Sequence, residues 1–172
     1  PYDIFLSADA SRPLQLKKEQ LIIQNSLKTY AIGKLAFWSA THPTSNQESL
    51  INTLKFYPKI AISNPKTAPY GKAALEVLTH LDLVKKYKRN TLITGINVNQ
   101  TFQQIRSKAV KGGFIALSQL KLNNLIGLDI PQQYYNPIKQ QLVILKSTQK
   151  QSTAEKFIRF LLSKKTQQNI AS

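Results

Sequence analysis

Two loop-to-helix junctions hold the residue types best suited to chemistry in this sequence, and that chemistry is anion binding through the backbone. The first lies in "ISNPKTAPYGKAALEVL" at 62–78, where Pro69, Tyr70 and Gly71 open a helix-like repeat. The second lies in "LITGINVNQTFQQI" at 92–105, where Thr94-Gly95 closes an apolar run and a helix begins near 98–100. The first N–H groups of a helix have no acceptor within it and sit at the positive end of its dipole. Such ends hold anions without a charged side chain. Apart from Lys66 the first loop carries no charge, in a chain with 24 Lys plus Arg against 8 Asp plus Glu. Every α/β protein has junctions of this kind and most bind nothing, so the pattern alone leaves both readings open.

The remaining chemistry-bearing residues point away from catalysis. His42 sits in a polar loop and His80 near the end of a helix, and neither has a carboxylate or second histidine at a useful helical spacing. The acidic residues are scattered, without a DxD or ExxH pair to hold a metal. Cysteine is absent, which removes thiolate ligands, disulfides and a cysteine nucleophile. No Gly-x-Ser-x-Gly elbow and no Gly-rich phosphate loop followed by Lys-Ser/Thr occurs. "KGGF" at 111–114 reads as a helix stop before a strand. The expectation is a protein that is not an enzyme, with no catalytic residues, no metal held by direct side-chain ligands and no cofactor.

The elements that position these junctions alternate. Apolar runs suited to strands fall at 4–6, 31–39, 59–63, 91–94, 114–117 and 141–145, and helical patterns at 14–21, 48–54, 70–81 and 101–110. Ala74, Val77, Leu78 and Leu81 share one helical face. So do Ala154, Phe157, Ile158, Leu161 and Leu162 in the last helix, for which Ser152 or Thr153 suits the N-cap. Strands separated by helices imply parallel pairing with right-handed crossovers, so the class is α/β. Two strands break this rhythm, "YAIGKLAFWSA" and "QQLVILKS". A long strand out and a long strand back suit a hinge between two lobes, one at 34–137 and the other made of 1–33 and 138–172. Hydrophobic residues make up 42% of the 172, and no apolar run approaches the ~18 residues of a membrane span. The net charge of +16 raises the nucleic-acid question. The basic residues are spread along the chain, densest at "KKYKRN" (85–90), with no pattern of aromatics interleaved with charge on a sheet and no helix-turn-helix, so they read as a solvated surface and no nucleic-acid partner is expected.

The segments "PYDIFLSADASRP", "YAIGKLAFWS", "NPKTAPYGKAALEVL", "GINVNQTFQQI", "GGFIALSQL" and "TAEKFIRFLLSKK" occur in this order and cover essentially the whole chain. In these motifs the sequence resembles the periplasmic molybdate-binding proteins that feed ABC transporters, a branch of the type II periplasmic binding proteins. The resemblance implies a type II periplasmic-binding-protein fold, two α/β lobes joined by a hinge with a tetrahedral oxyanion between them. It implies molybdate or tungstate as ligand, a membrane permease as partner, a periplasmic location and a monomer in the full-length form. Tyr70 in "APYG" and Val98 in "INVNQ" match positions where family backbone N–H groups donate to the oxyanion. Two departures accompany it. The family's other donors lie before "DIFLSADA" on an opening strand–helix–strand absent here, so the expectation is an N-terminally truncated chain whose first lobe is incomplete. Ala116 in "GFIALSQ" stands where some members carry a tyrosine whose hydroxyl reaches the anion. The rival readings are a sulfate- or phosphate-type oxyanion binder and the effector-binding domain of a transcription regulator.

Overall fold

A computed structural model of the chain describes residues 2–42, 44, 49–87 and 90–171. Glu48, most of the loop at 42–47, and Lys88 and Arg89 of the basic cluster lie outside the described residues. The chain divides into two units, Pro1–Ile32 with Ile138–Ser172, and Gly33–Pro137.

In the first unit the strands are β1 (Ile4–Ser7), β2 (Lys28–Gly33, whose last residue belongs to the second unit) and β8 (Ile138–Ile144), in the order β1-β8-β2. β1 runs antiparallel to β8, from Ile4 opposite Ile144 to Ser7 opposite Gln141. Leu142 and Ile144 of β8 pack on Ala154 and Ile158 of the helix α6 (Gln151–Leu161), with Ile4, Ile23 and Tyr30 around them. Helix α1 (Ser11–Lys18) has Ala10 as its N-cap, and Asp9 just before it accepts on Oδ1 from the Ser11 backbone N–H at 2.9 Å. A helix α7 (Lys164–Ala171), which the apolar pattern does not announce, follows α6.

Helix α6 starts earlier than expected. Its N-cap is Lys150, not Ser152 or Thr153, because Thr148 accepts from the Lys150 N–H at 3.0 Å and donates to Asp3 at 2.6 Å, fixing the turn upstream. Phe157 is 42% exposed, so the stripe that meets the core is narrower than the apolar count implies.

The second unit is built on a five-stranded sheet of β3 (Leu35–Ser39), β4 (Ile60–Ser63), β5 (Leu92–Gly95), β6 (Gly112–Ala116) and β7 (Leu128–Asp129), in the order β5-β4-β6-β3-β7. Its helices are α2 (Leu50–Phe56), α3 (Pro69–His80), α4 (Val98–Arg106) and α5 (Leu117–Leu122), with a 3-10 turn at Gln132–Tyr134. β4 is parallel to β5 and β6, as alternating strands and helices predict. β3 departs from this and lies antiparallel to both β6 and β7. The single long strand expected at 31–39 is two strands. The apolar run continues across Lys34 while the backbone changes sheet, because hydrophobicity records burial and not the identity of the partner strand.

Right-handed crossovers leave β4 toward one neighbour and β5 toward the other, which puts α3 and α4 on opposite faces of the sheet. The alternation of side chains agrees. Ala36, Trp38, Ala61 and Ile115 pack with Phe102 and Ile105 of α4 and Leu120 of α5. The alternate residues Phe37 and Phe114 meet edge to face, with centroids 5.5 Å apart, and Tyr57 lies 5.2 Å from Phe37. Gly112 and Gly113 do not end a helix but sit within β6, opposite Ser39 and Trp38. A Cβ on Gly113 would stand 2.2 Å from the Ala61 carbonyl oxygen, so the residue is dictated by strand packing. The stop of α4 falls instead on Lys108, at φ 63°, whose N–H closes on the Ile105 carbonyl at 2.9 Å. Among the described residues no helix is long and apolar enough to cross a membrane.

Candidate anion site

Because β4, β5 and β6 are parallel, their C-terminal ends share one edge of the sheet, and Ser63 at the end of β4 is paired with Gly95 at the end of β5. Helices α3, α4 and α5 all start from that edge, so three helix dipoles turn their positive ends to it. The connections leave β4 and β6 in opposite directions, the arrangement that opens a crevice in an open α/β sheet.

The start of α3 is a folded peptide turn with little side-chain chemistry. The Asn64 N–H extends the β4–β5 ladder to the Gly95 carbonyl at 2.8 Å. The Asn64 carbonyl accepts from Thr67 and Ala68, and its Oδ1 accepts from the Lys66 N–H at 3.0 Å. Pro69 occupies the first helical position, where its missing N–H costs nothing and its fixed φ suits the helix. Tyr70 follows, 7% exposed, its ring inside the unit. No side chain caps this helix. A Cβ at Gly71 would lie 2.1 Å from the Ser63 carbonyl oxygen, so glycine lets the first turn press against the strand end.

The start of α4 is held by side chains. Asn97 accepts from the Gln100 N–H at 2.9 Å, and Gln100 Oε1 accepts in return from the Ile96 N–H at 2.5 Å. Val98 is the first helical residue. The Thr101 hydroxyl donates to the Asn97 carbonyl at 3.0 Å and lies 3.2 Å from the Ser63 hydroxyl, with both residues almost fully buried. This pair pins the first turn of α4 to the end of β4. On the other side, the half-buried Gln119 of α5 accepts from the Ala116 N–H at 3.1 Å and donates to Asn99 Oδ1 at 3.0 Å.

Tyr70 and Val98 therefore stand at the starts of two helices rising from register-paired strand ends. Ala116 ends the third strand at that edge and brings no hydroxyl to it. His42 and His80 are exposed, and each packs an aromatic face, Phe56 at 5.3 Å and Tyr134 at 5.0 Å. Two cavities lie elsewhere in the second unit. One of about 390 Å³ is lined by His42, Thr53, Phe56 and Tyr57 among others, and one of about 530 Å³ lies between α3 and the 3-10 turn, beside Glu76 and Tyr134. Among the described residues no three His, Cys, Asp or Glu side chains come together as a metal site.

The family model for bacterial extracellular solute-binding proteins matches residues 1–172. The chain belongs to that family. Within it, this solute-binding protein is 35% identical over 165 residues to the molybdate-binding protein ModA of Azotobacter vinelandii, a match covering 94% of this chain and 65% of that protein. It is also 35% identical over 167 residues to ModA of Rhodobacter capsulatus, covering 94% and 64%. The chain thus spans just under two thirds of the length of these relatives. The solved periplasmic molybdate-binding protein of Azotobacter vinelandii superposes with a TM-score of 0.88 at 38% identity, over 99% of this chain and 76% of that one. The fold is accordingly the mixed α/β fold of the periplasmic binding proteins.

In this solute-binding protein the motifs that mark the two helix starts do not single out the supporting residues Ser63, Thr101, Asn97 and Gln119. Asn97 carried a legible signal, a capping residue followed three positions later by Gln100. Ser63 and Thr101 did not, since a hydroxyl at a strand end and one within a helix give no sign of meeting.

Proposed function

We propose that this protein captures molybdate, and tungstate with it, for delivery to an ABC importer, holding the oxyanion through the backbone N–H groups of Tyr70 and Val98. The observation that carries the reading is the pair of helix starts above Ser63 and Gly95, nearly free of charged side chains, in a chain similar over 94% of its length to molybdate-binding proteins. A tetrahedral dianion accepts charge-assisted hydrogen bonds, which are roughly twice as strong as neutral ones. Neutral donors suffice for it and still permit release. A buried Lys or Arg would hold any anion and give it up slowly. Selection then falls to the spacing of the donors, which molybdate and tungstate fit alike and the smaller sulfate does not.

The role is binding and transfer rather than catalysis, the location is periplasmic, and the partner is the membrane permease. The test is calorimetric titration of the whole gene product with molybdate, tungstate, sulfate and phosphate, with amide resonances followed in parallel. Molybdate and tungstate should bind with similar affinity, well above sulfate, and the Tyr70 and Val98 amides should shift. Sulfate or phosphate binding tighter than molybdate would replace the ligand assignment. Molybdate binding without movement of those two amides would replace the site.

A further inference from the structure

Gln119 spends both ends of its amide on joining two helix starts. Its Oε1 accepts from the Ala116 N–H at 3.1 Å, at the last residue of β6, and its Nε2 donates to Asn99 Oδ1 at 3.0 Å while lying 3.4 Å from the Val98 carbonyl oxygen. Val98 and Asn99 are the first two residues of α4. The bridge therefore crosses from the end of one strand to the opening turn of a helix that follows another. We infer that Gln119 is a positioning residue that sets the Val98 N–H against the sheet edge and thereby determines which size of oxyanion the site accepts, an inference that rests on the anion-site reading above.

The argument is mechanical. Helix α4 is tied to the end of β4 by the hydrogen bond where Thr101 meets Ser63, and further along Phe102 and Ile105 pack on the sheet. These contacts lie at residue 101 and beyond, behind the opening residues Val98 and Asn99. The Gln119 bridge supplies a further anchor on the β6 side, at the residues that carry the donor, and fixes their direction as well as position. Ala116 has no side chain able to reach an anion and contribute a ligand contact of its own. Selectivity at this side of the site is then a matter of how firmly α4 is held. A loosened donor follows a smaller anion inward and loses discrimination before it loses all affinity. Both amide donors of Gln119 are engaged by Val98 and Asn99 and its oxygen accepts from Ala116, so its effect on the ligand is exerted through Val98.

The variants are Gln119→Met, which keeps length and removes both polar ends, and Asn99→Ala, which cuts the same bridge at an exposed residue with little risk to folding. In the anion-free protein both should change the Val98 and Asn99 amide resonances and speed their hydrogen exchange, leaving the Ser63 region unchanged. In titrations of the whole gene product, molybdate affinity should fall roughly tenfold, as expected when one charge-assisted bond is weakened and not lost. Sulfate affinity should change little, so the molybdate-to-sulfate ratio falls. The double variant should cost no more than Gln119→Met alone, since Asn99→Ala removes part of the same bridge. An unchanged ratio, or amides that do not respond, overturns the inference. A parent protein that binds neither oxyanion overturns the function reading and the selectivity claim together, while the amide resonances still decide whether the bridge orders α4.

Discussion

Replacing Gly71 with alanine sets helix propensity against packing at the point where α3 meets β4. The new Cβ would lie 2.1 Å from the Ser63 carbonyl oxygen and 2.5 Å from its carbon, whereas real Cβ contacts stay above 3.0 Å. Relief requires a displacement of about 1 Å between helix and strand. The obstructing atoms are main chain in a strand paired on both sides, so the helix start must be what moves. Alanine improves intrinsic helix propensity by about 1 kcal/mol, and overpacking of this kind costs about 1–3 kcal/mol. The net expectation is a loss of about 1–2 kcal/mol, because rigid backbone cannot yield as a side chain does. Trp38, the single tryptophan, is 7% exposed in the same unit, and its fluorescence follows unfolding in urea. The midpoint should fall with little change in slope. The same displacement carries the Tyr70 N–H about 1 Å away from an anion held by Val98, which forfeits most of a charge-assisted bond, so molybdate should bind roughly ten- to a hundredfold more weakly. A raised urea midpoint, as propensity alone dictates, refutes the packing argument. A lowered midpoint with unchanged molybdate affinity refutes the assignment of Tyr70.

Much of the fold is legible because burial and period coincide. Ala74, Val77 and Leu78 of α3 are fully buried as read, whereas Leu81, read on the same face, is the C-cap and half-buried, and β4 and β5 fall within a residue of their apolar runs. What the pattern cannot express is partnership. The run through Lys34 is apolar on both sides, yet β2 and β3 join different sheets. Gly112 and Gly113 look like a stop because glycine often ends helices, but here the neighbours are Ala61 and the Phe37 ring, which no local reading brings near. Helix α5 escapes because Leu117 continues the hydrophobic stretch of β6 without a break, and a short apolar run does not tell strand from helix.

The site divides along the same line. Its first requirement, a helix start with Gly and almost no charge, joined by Pro in the first case, is local and can be read from "TAPYG" and "GINVNQ". Its second requirement is that two such starts meet, which depends on β4 pairing with β5 in the register that sets Ser63 beside Gly95. Register is decided across the sheet and is silent in either segment. The supports are further removed still. Ser63 and Thr101 are 38 positions apart, and Gln119 is 20 from Asn99. Each is an ordinary polar residue until the fold supplies its partner. Local sequence thus specifies what kind of helix start stands at the edge, and tertiary structure specifies how far apart the starts are, which on the proposed reading is the quantity that would select among oxyanions.

Three further outcomes follow from particular residues. Thr101→Val keeps shape and removes the hydroxyl that meets Ser63 and the Asn97 carbonyl, so unfolding followed by Trp38 should show a loss of about 1–2 kcal/mol, and no loss would mean the pair is not a strut. With a formal charge of +16 spread over the surface, raising salt should slow molybdate capture and leave its release nearly unchanged, since steering is screened beyond ~10 Å at 0.1 M. A stopped-flow release rate that rises steeply with salt would place lysines in the site. The last concerns Tyr87, whose hydroxyl is buried and donates to the Leu54 and Tyr57 carbonyls, the latter at 3.0 Å. Burial raises its pKa well above the ordinary 10.0, because the phenolate would lose its hydration and find only carbonyl oxygens facing it. The folded state therefore keeps a proton that the unfolded chain gives up near pH 10. Its stabilising contribution is complete below that pH and declines as pH rises toward the folded value. Tyr87→Phe should lower stability at pH 7 by about 1 kcal/mol through loss of the hydrogen bond that its single proton shares between the two carbonyls, and it should flatten the fall in stability between pH 10 and 11. Urea midpoints of parent and variant, compared at pH 7 and pH 11, should therefore converge. A gap that stays constant or widens with pH would show that Tyr87 does not hold its proton against the solvent.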